Sequence, residues 1–117
     1  MNAGIKKVWV EALKSGNYPQ TTGHLIEVPG ETGVQIEQTG YCCLGVLCEV
    51  MGVPKVTIAY TGYKDEAEPF TGVTHYFLPK NVEVEAELGR IEQTILAEKN
   101  DNLMSFGEIA TYIEEQL

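Results

Sequence analysis

The sequence predicts an α+β fold: a small antiparallel sheet packed on a buried central helix, with N- and C-terminal helices covering it. Three observations predict it. Residues 41–51 are apolar nearly all round, amphipathic helical patterns stand at both ends of the chain, and β-branched or aromatic runs broken by Pro and Gly lie between them.

Residues 3–15 place Ile5, Val8, Trp9, Ala12 and Leu13 at helical spacing, with Lys6, Lys7, Glu11 and Lys14 on the other side. Gly16 is a stop signal, so this helix should end near Ser15. Over 24–38 the pattern becomes strand-like. Leu25-Ile26-Glu27-Val28 and Val34-Gln35-Ile36-Glu37 flank Pro29-Gly30-Glu31-Thr32-Gly33, which predicts a β-hairpin. The central segment, Tyr41-Cys42-Cys43-Leu44-Gly45-Val46-Leu47-Cys48-Glu49-Val50-Met51, is closed by Gly52 and Pro54. A helix with no polar face is buried, so it belongs at the centre of the fold.

Strands are predicted over 56–60 and 73–78, and a polar loop over 61–71 containing Asp65, Glu66 and Glu68. Residues 82–88 alternate with period two like a half-buried strand, yet Pro79 just ahead suits a first helical turn, so both alternatives stand. Leu88, Ile91 and Ile95 have helical spacing and predict a helix ending before Asn100-Asp101-Asn102. Ser105 and Glu108 have capping-box spacing ahead of the apolar stripe Phe106, Ile109, Ala110, Ile113 and Leu117, which predicts a docked C-terminal helix. There is no internal repeat or low-complexity tract.

The chain has 117 residues, 44% of them apolar and 21% charged, the size and balance of one globular domain, 1–117. Eight cations, Arg90 the only arginine, stand against 17 acids, a net charge of −9 that argues against binding long nucleic acids through their phosphates. The sequence has no membrane-length apolar run, and its N-terminus lacks the apolar stretch and cleavage site of a signal peptide, so a cytoplasmic location and no membrane partner are expected. Cys42, Cys43 and Cys48 are odd in number and close together, as reduced thiols would be rather than a disulfide framework. With only His24 and His75 beside them, they lack a familiar zinc spacing; no metal and no cofactor is expected.

Cys42 or Cys43 at a helix start is the sharpest chemical feature, because the positive end of a helix lowers a thiol pKa. With His75 on a later strand as base, it suggests a thiol-dependent hydrolase or transferase; against this, a buried Cys usually packs as a small hydrophobe. The same helix start has backbone N–H groups from Cys42 to Gly45 that suit a phosphate or carboxylate. Tyr18, Tyr41, Tyr60, Tyr63, Tyr76 and Tyr112 supply flat faces and hydroxyls suited to a nucleobase or ribose, or else to the core, and Arg90 and His24 suit a charged group. The acidic stretches over 83–92 and at Glu114-Glu115 read either as mimicry of DNA phosphates or as solvated helix faces. Their interruption by apolar residues favours the second. No Gly-rich phosphate loop, metalloprotease helix or paired-carboxylate signature is present.

Four blocks carry a family resemblance. They are Trp9-Val10-Glu11-Ala12-Leu13-Lys14-Ser15-Gly16-Asn17-Tyr18-Pro19-Gln20, then Tyr41-Cys42-Cys43-Leu44-Gly45-Val46-Leu47-Cys48-Glu49, then Leu78-Pro79 with Val82, and finally Leu96-Ala97-Glu98-Lys99-Asn100-Asp101 leading to Ser105-Phe106 and Glu108-Ile109-Ala110. In these the chain resembles a widespread group of small phage and prophage accessory proteins. Such proteins include sponges that bind the nucleotide second messengers of bacterial immunity, of Thoeris or CBASS type. The resemblance implies a non-enzymatic anti-defence protein in the host cytoplasm, a homo-oligomer sequestering a small nucleotide-derived ligand. Tyr18, Gln20, Tyr41, Cys42 and Cys43 would line or shape its pocket, with Asn100, Asp101 and Phe106 as further contributors. A protein-binding inhibitor of a host enzyme is the remaining alternative.

Overall fold

A computed structural model of the protein describes residues 1–31 and 36–117. Helix α1 (Ala3–Lys14) begins where the Asn2 side chain accepts the Ile5 N–H at 2.9 Å, and it gives way at Ser15 to Gly16, whose φ of 77° suits glycine. Its buried face, Trp9, Val10 and Leu13, packs on the central and C-terminal helices. The expected hairpin is only partly of the predicted form. Strand β1 (Ile26–Glu27) pairs antiparallel with β2 (Gly40–Tyr41), Ile26 opposite Tyr41. Of the predicted second arm, Val34 and Gln35 lie outside the described residues, and Ile36 and Glu37 are not strand. The arm that pairs lies further on because Tyr41 is also bridged by the chain on its other side: its N–H donates to Pro19 O and its O accepts the Thr21 N–H, both at 2.8 Å.

Strand β2 runs directly into α2 (Cys43–Val50), the buried central helix, whose residues from Cys43 to Cys48 are all inside. A second antiparallel sheet, order β3-β4-β5, consists of β3 (Lys55–Ile58), β4 (Tyr60–Lys64) and β5 (Val73–Thr74). Two small sheets therefore replace one, and the segment predicted as a loop from Thr61 begins with the sheet's middle strand. Thr61, Gly62 and Tyr63 read as polar or small, but all three are buried. A side chain at Gly62 would meet Thr74 O at 2.5 Å, and the enclosed Tyr63 hydroxyl donates to Glu49 Oε2 at 2.8 Å. The strand predicted over 73–78 is confined to its first two residues, and the turn between β3 and β4 is Ala59 alone, at φ 64°.

Residues 82–86 resolve as helix rather than strand. After Pro79, α3 (Lys80–Ala86) buries Val82 and Ala86 four residues apart and leaves Val84 outside; Glu87 ends it at φ 55°. Helix α4 (Arg90–Asp101) includes Asn100 and Asp101 rather than stopping before them. Its buried face is Gln93, Leu96 and Asn100, whereas Ile91 and Ile95 of the predicted stripe face outward. Gln93 is tolerated inside because its polar atoms are used: Oε1 accepts the Leu78 N–H at 2.9 Å, and Nε2 donates to Leu88 O at 3.0 Å and Glu83 Oε2 at 2.9 Å. Helix α5 (Phe106–Gln116) opens with the Ser105–Glu108 capping box and buries Phe106, Ile109, Ala110 and Ile113, as its stripe predicts. The architecture is α+β, with α1 and α4 against α2, α5 against α1 and α4, and the small sheets beside α2. Among the described residues no helix is long and apolar enough to cross a membrane.

Candidate functional site

The residues of the Tyr-Cys-Cys motif meet those from the end of α4 at one joint. Cys42, extended at φ −84° and ψ 172°, precedes α2, and its N–H donates to Leu25 O at 3.1 Å. The Cys43 N–H donates to Asn100 Oδ1 at 3.1 Å. Asn100 is fully buried; its Oδ1 also accepts from Gln20 Nε2 at 3.1 Å, and its Nδ2 donates to Thr21 O at 2.7 Å. Gln20 continues to Met104 O at 2.8 Å, and Asp101 Oδ1 accepts the Gly23 N–H at 3.0 Å. Tyr18 packs edge-on against Tyr41 with centroids 5.4 Å apart, and Phe106 belongs to the core. The site residues named from the sequence thus assemble around this joint. The side-chain polar atoms of Gln20, Asn100 and Asp101, however, are engaged with one another and with neighbouring backbone. The Cys43 amide expected to meet an anion is satisfied by the Asn100 carboxamide instead.

A second constellation forms where β1, β4 and the segment after β5 converge. The ring of His24 lies 5.7 Å from that of Tyr60 and 5.2 Å from that of Tyr76, while His75 lies 4.5 Å from Tyr60 and 6.5 Å from Tyr76. His24 Nδ1 is 3.2 Å from Glu27 Oε1, and His75 Nε2 is 3.3 Å from Tyr60 O. The neighbouring Tyr60 side chain raises the Tyr76 pKa. Tyr76 is 55% exposed, while His24, Tyr60 and His75 are partly buried behind it. Leu25 joins the two constellations: its N–H donates to His75 O at 2.8 Å while its O accepts from Cys42.

A family model described as "Domain of unknown function (DUF8296)" matches residues 1–117, the whole chain. The chain belongs to the DUF8296 family. No curated protein and no solved structure matches it.

In this DUF8296 chain the thiols behave opposite to the expectation drawn from the helix dipole. Burial pushes the Cys42 thiol up to about 11, outweighing the opposing pull of the Gly45 and Leu44 amides, and it also raises Cys43 and Cys48 well above the ordinary value. All three cysteines are free and buried; Cys43 Sγ points to Leu96 O at 3.6 Å, and His75 is engaged with Tyr60. Neutral, enclosed thiols are poor nucleophiles. They also make stability depend on pH. A group whose folded pKa lies above its unfolded value contributes stability that is complete below the unfolded pKa and is lost as pH rises through the folded pKa. Urea titrations should therefore give, from neutral pH upward, constant stability to about pH 8.5 and a progressive loss from there toward pH 11, a loss that Cys42→Ser should reduce.

Arg90 lies over the Phe77 ring at 4.0 Å, and among the described residues no group of three or more His, Cys, Asp or Glu is placed to hold a metal ion. Sequence reasoning named His24, Tyr60, His75 and Tyr76 singly but did not bring them together. They come from three separate strands and loops, and the only local signal was the density of aromatic residues over 75–77.

Proposed function

We propose that the chain is a non-enzymatic accessory protein of phage or prophage type, which holds a small nucleotide-derived signal by laying its base on the His24, Tyr60, His75 and Tyr76 rings. The observation that carries this reading is the convergence of four rings of which Tyr76 is half-exposed, since base stacking on aromatic faces contributes about 1–3 kcal/mol per base. Glu27, buried beside His24, adds an acceptor for an amino or ribose hydroxyl group. The joint of Tyr18, Gln20, Tyr41, Cys42, Cys43, Asn100, Asp101 and Phe106 acts in this reading as the scaffold that fixes Leu25, and through it His24 and His75. Sequestration needs no reactive thiol, which agrees with the raised pKa values of the cysteines. The anti-defence role against Thoeris- or CBASS-type signalling, the host cytoplasm as location and a homo-oligomeric state are parts of the same proposal, and they rest on the family resemblance.

A thermal-shift series with a panel of signalling nucleotides, followed by analysis of what heat releases, tests the proposal. A ligand at about 100 times its Kd stabilises the folded state by about 2.7 kcal/mol, a rise of about 10 °C for a domain of this size. The expected result is such a rise with one nucleotide, released intact, and a Tyr76→Ala protein of unchanged melting temperature that binds at least tenfold more weakly. No rise with any nucleotide, or equal binding by Tyr76→Ala, defeats the proposal. Release of a chemically altered nucleotide turns it toward catalysis.

A further inference from the structure

We propose that the free edge of β3 is an interface at which a second copy of this chain adds its own β3, antiparallel, about a two-fold axis at Val56. Strand β3 is the outer strand of the sheet β3-β4-β5, and three of its four residues are exposed. The Lys64 N–H donates to Pro54 O at 2.9 Å, whereas the Thr61 N–H turns away from β3 and donates to Glu31 Oε2 at 2.9 Å. With Val56 opposite Gly62 and Thr57 opposite Thr61, the alternation of an antiparallel pair aims the N–H and C=O groups of Lys55 and Thr57 away from β4. Among the described residues these outward groups have no backbone partner. Such a row is a template for another strand.

Symmetry and charge point to a second copy as the occupant. A two-fold axis at Val56 sets Lys55 of each copy opposite Thr57 of the other, so the outward groups of one edge meet the same groups of the other with none left over. The two Val56 side chains then face each other across the axis, with Ile58, 46% exposed, on the diagonal, a β-branched cluster of the kind that stabilises strand pairs. A chain of net charge −9 resists its own copy wherever acids face acids. Residues 50–64 hold Lys55 and Lys64 and no Asp or Glu. The carboxylates that reach this sheet from elsewhere are already engaged: Glu49 with Lys55 Nζ at 3.1 Å and the Tyr63 hydroxyl at 2.8 Å, Glu31 with the Thr61 amide and hydroxyl, and Glu66 with Lys64 at 3.6 Å. Lys55, the kind of residue that guards an edge, is itself drawn onto Glu49. This inference deepens, and rests on, the homo-oligomeric part of the proposed function, not on nucleotide binding.

Sedimentation over a range of chain concentrations measures the association. The expected result is a monomer–dimer equilibrium that Val56→Lys weakens tenfold or more, because it sets two ammonium groups together at the axis, with an unchanged melting temperature in dilute solution. Cross-linking reads the register without relying on a loss. Val56→Cys should link two copies under mild oxidation, since the Cα atoms of a facing, non-hydrogen-bonded pair stand about 4.5 Å apart, within disulfide reach. Ile58→Cys should not, because its two copies lie about 13 Å apart along the strands, four residues at about 3.3 Å each. The chain's own cysteines are all buried, so the wild type is the unlinked baseline. A monomer up to millimolar chain overturns the inference together with the homo-oligomeric reading. A dimer that Val56→Lys leaves intact, or one that links at Ile58→Cys as readily as at Val56→Cys, overturns the inference alone. A monomer whose β3 amides pair instead with an added peptide of alternating Val and Thr assigns the edge to a foreign strand and overturns it equally. Nucleotide binding is read by the thermal-shift series, so either result stands without the other.

Discussion

Gly45→Ala is expected to destabilise the protein by about 3 kcal/mol or more, lowering its melting temperature by over about 10 °C or preventing folding. A Cβ at Gly45 would stand 1.9 Å from Leu25 O and 2.9 Å from the Leu25 carbonyl carbon. Both are backbone atoms of a segment already fixed, since the same Leu25 O accepts the Cys42 N–H and the Leu25 N–H holds His75 O. No rotamer change relieves the clash; α2 must move off β1, and the ring cluster must move with it. If the rings hold a nucleotide as proposed, the loss of its binding should therefore exceed what the loss of stability alone explains. Gly107→Ala is the matching control, because there the nearest atom to an added Cβ is Ser105 Oγ at 4.0 Å. It should be neutral or slightly stabilising in a helix. Urea denaturation of the three proteins checks the pair, and equal stabilities for Gly45→Ala and wild type would refute the close approach.

The second large effect is expected at Asn100. Replacing it by Ala leaves the buried Cys43 N–H and the Thr21 carbonyl without their partner and frees Gln20, at a cost of about 2–4 kcal/mol, since each abandoned buried group costs about 1–3 kcal/mol. Asn100→Asp keeps an acceptor for Cys43 but buries a carboxylate with one oxygen against Thr21 O, so at neutral pH it should cost at least as much as Ala and should recover as pH falls and the acid is protonated. These measurements also separate scaffold from ligand contact. A scaffold residue loses melting temperature first, whereas a ligand contact would keep the fold and lose only the nucleotide-induced shift.

Much of the helical framework is legible in the chain because its signals are local. Ser105 caps α5 within three residues of itself, Gly16 ends α1, and the uniformly apolar 43–48 segment is buried in every register. The failures fall where partners are distant. Strand β4 looks like a polar loop because its burial depends on Glu49, Val73 and Thr74, and α4 looks as though Ile91 and Ile95 should be buried because nothing nearby announces that Gln93 and Asn100 will be satisfied inside.

The same division holds for the candidate site. By itself the sequence determined the α+β class, the buried apolar helix that the structure begins at Cys43 rather than Tyr41, and the amphipathic helices at the two ends, since periodicity and capping are properties of short stretches. Only the tertiary structure decided that Asn100 rather than an outside anion meets the start of α2, that burial outweighs the helix dipole at the thiols, and that His24, Tyr60, His75 and Tyr76 share one face. Each of these depends on atoms far apart in the chain, and desolvation and hydrogen-bond satisfaction are set by what packing brings near, not by neighbours in sequence.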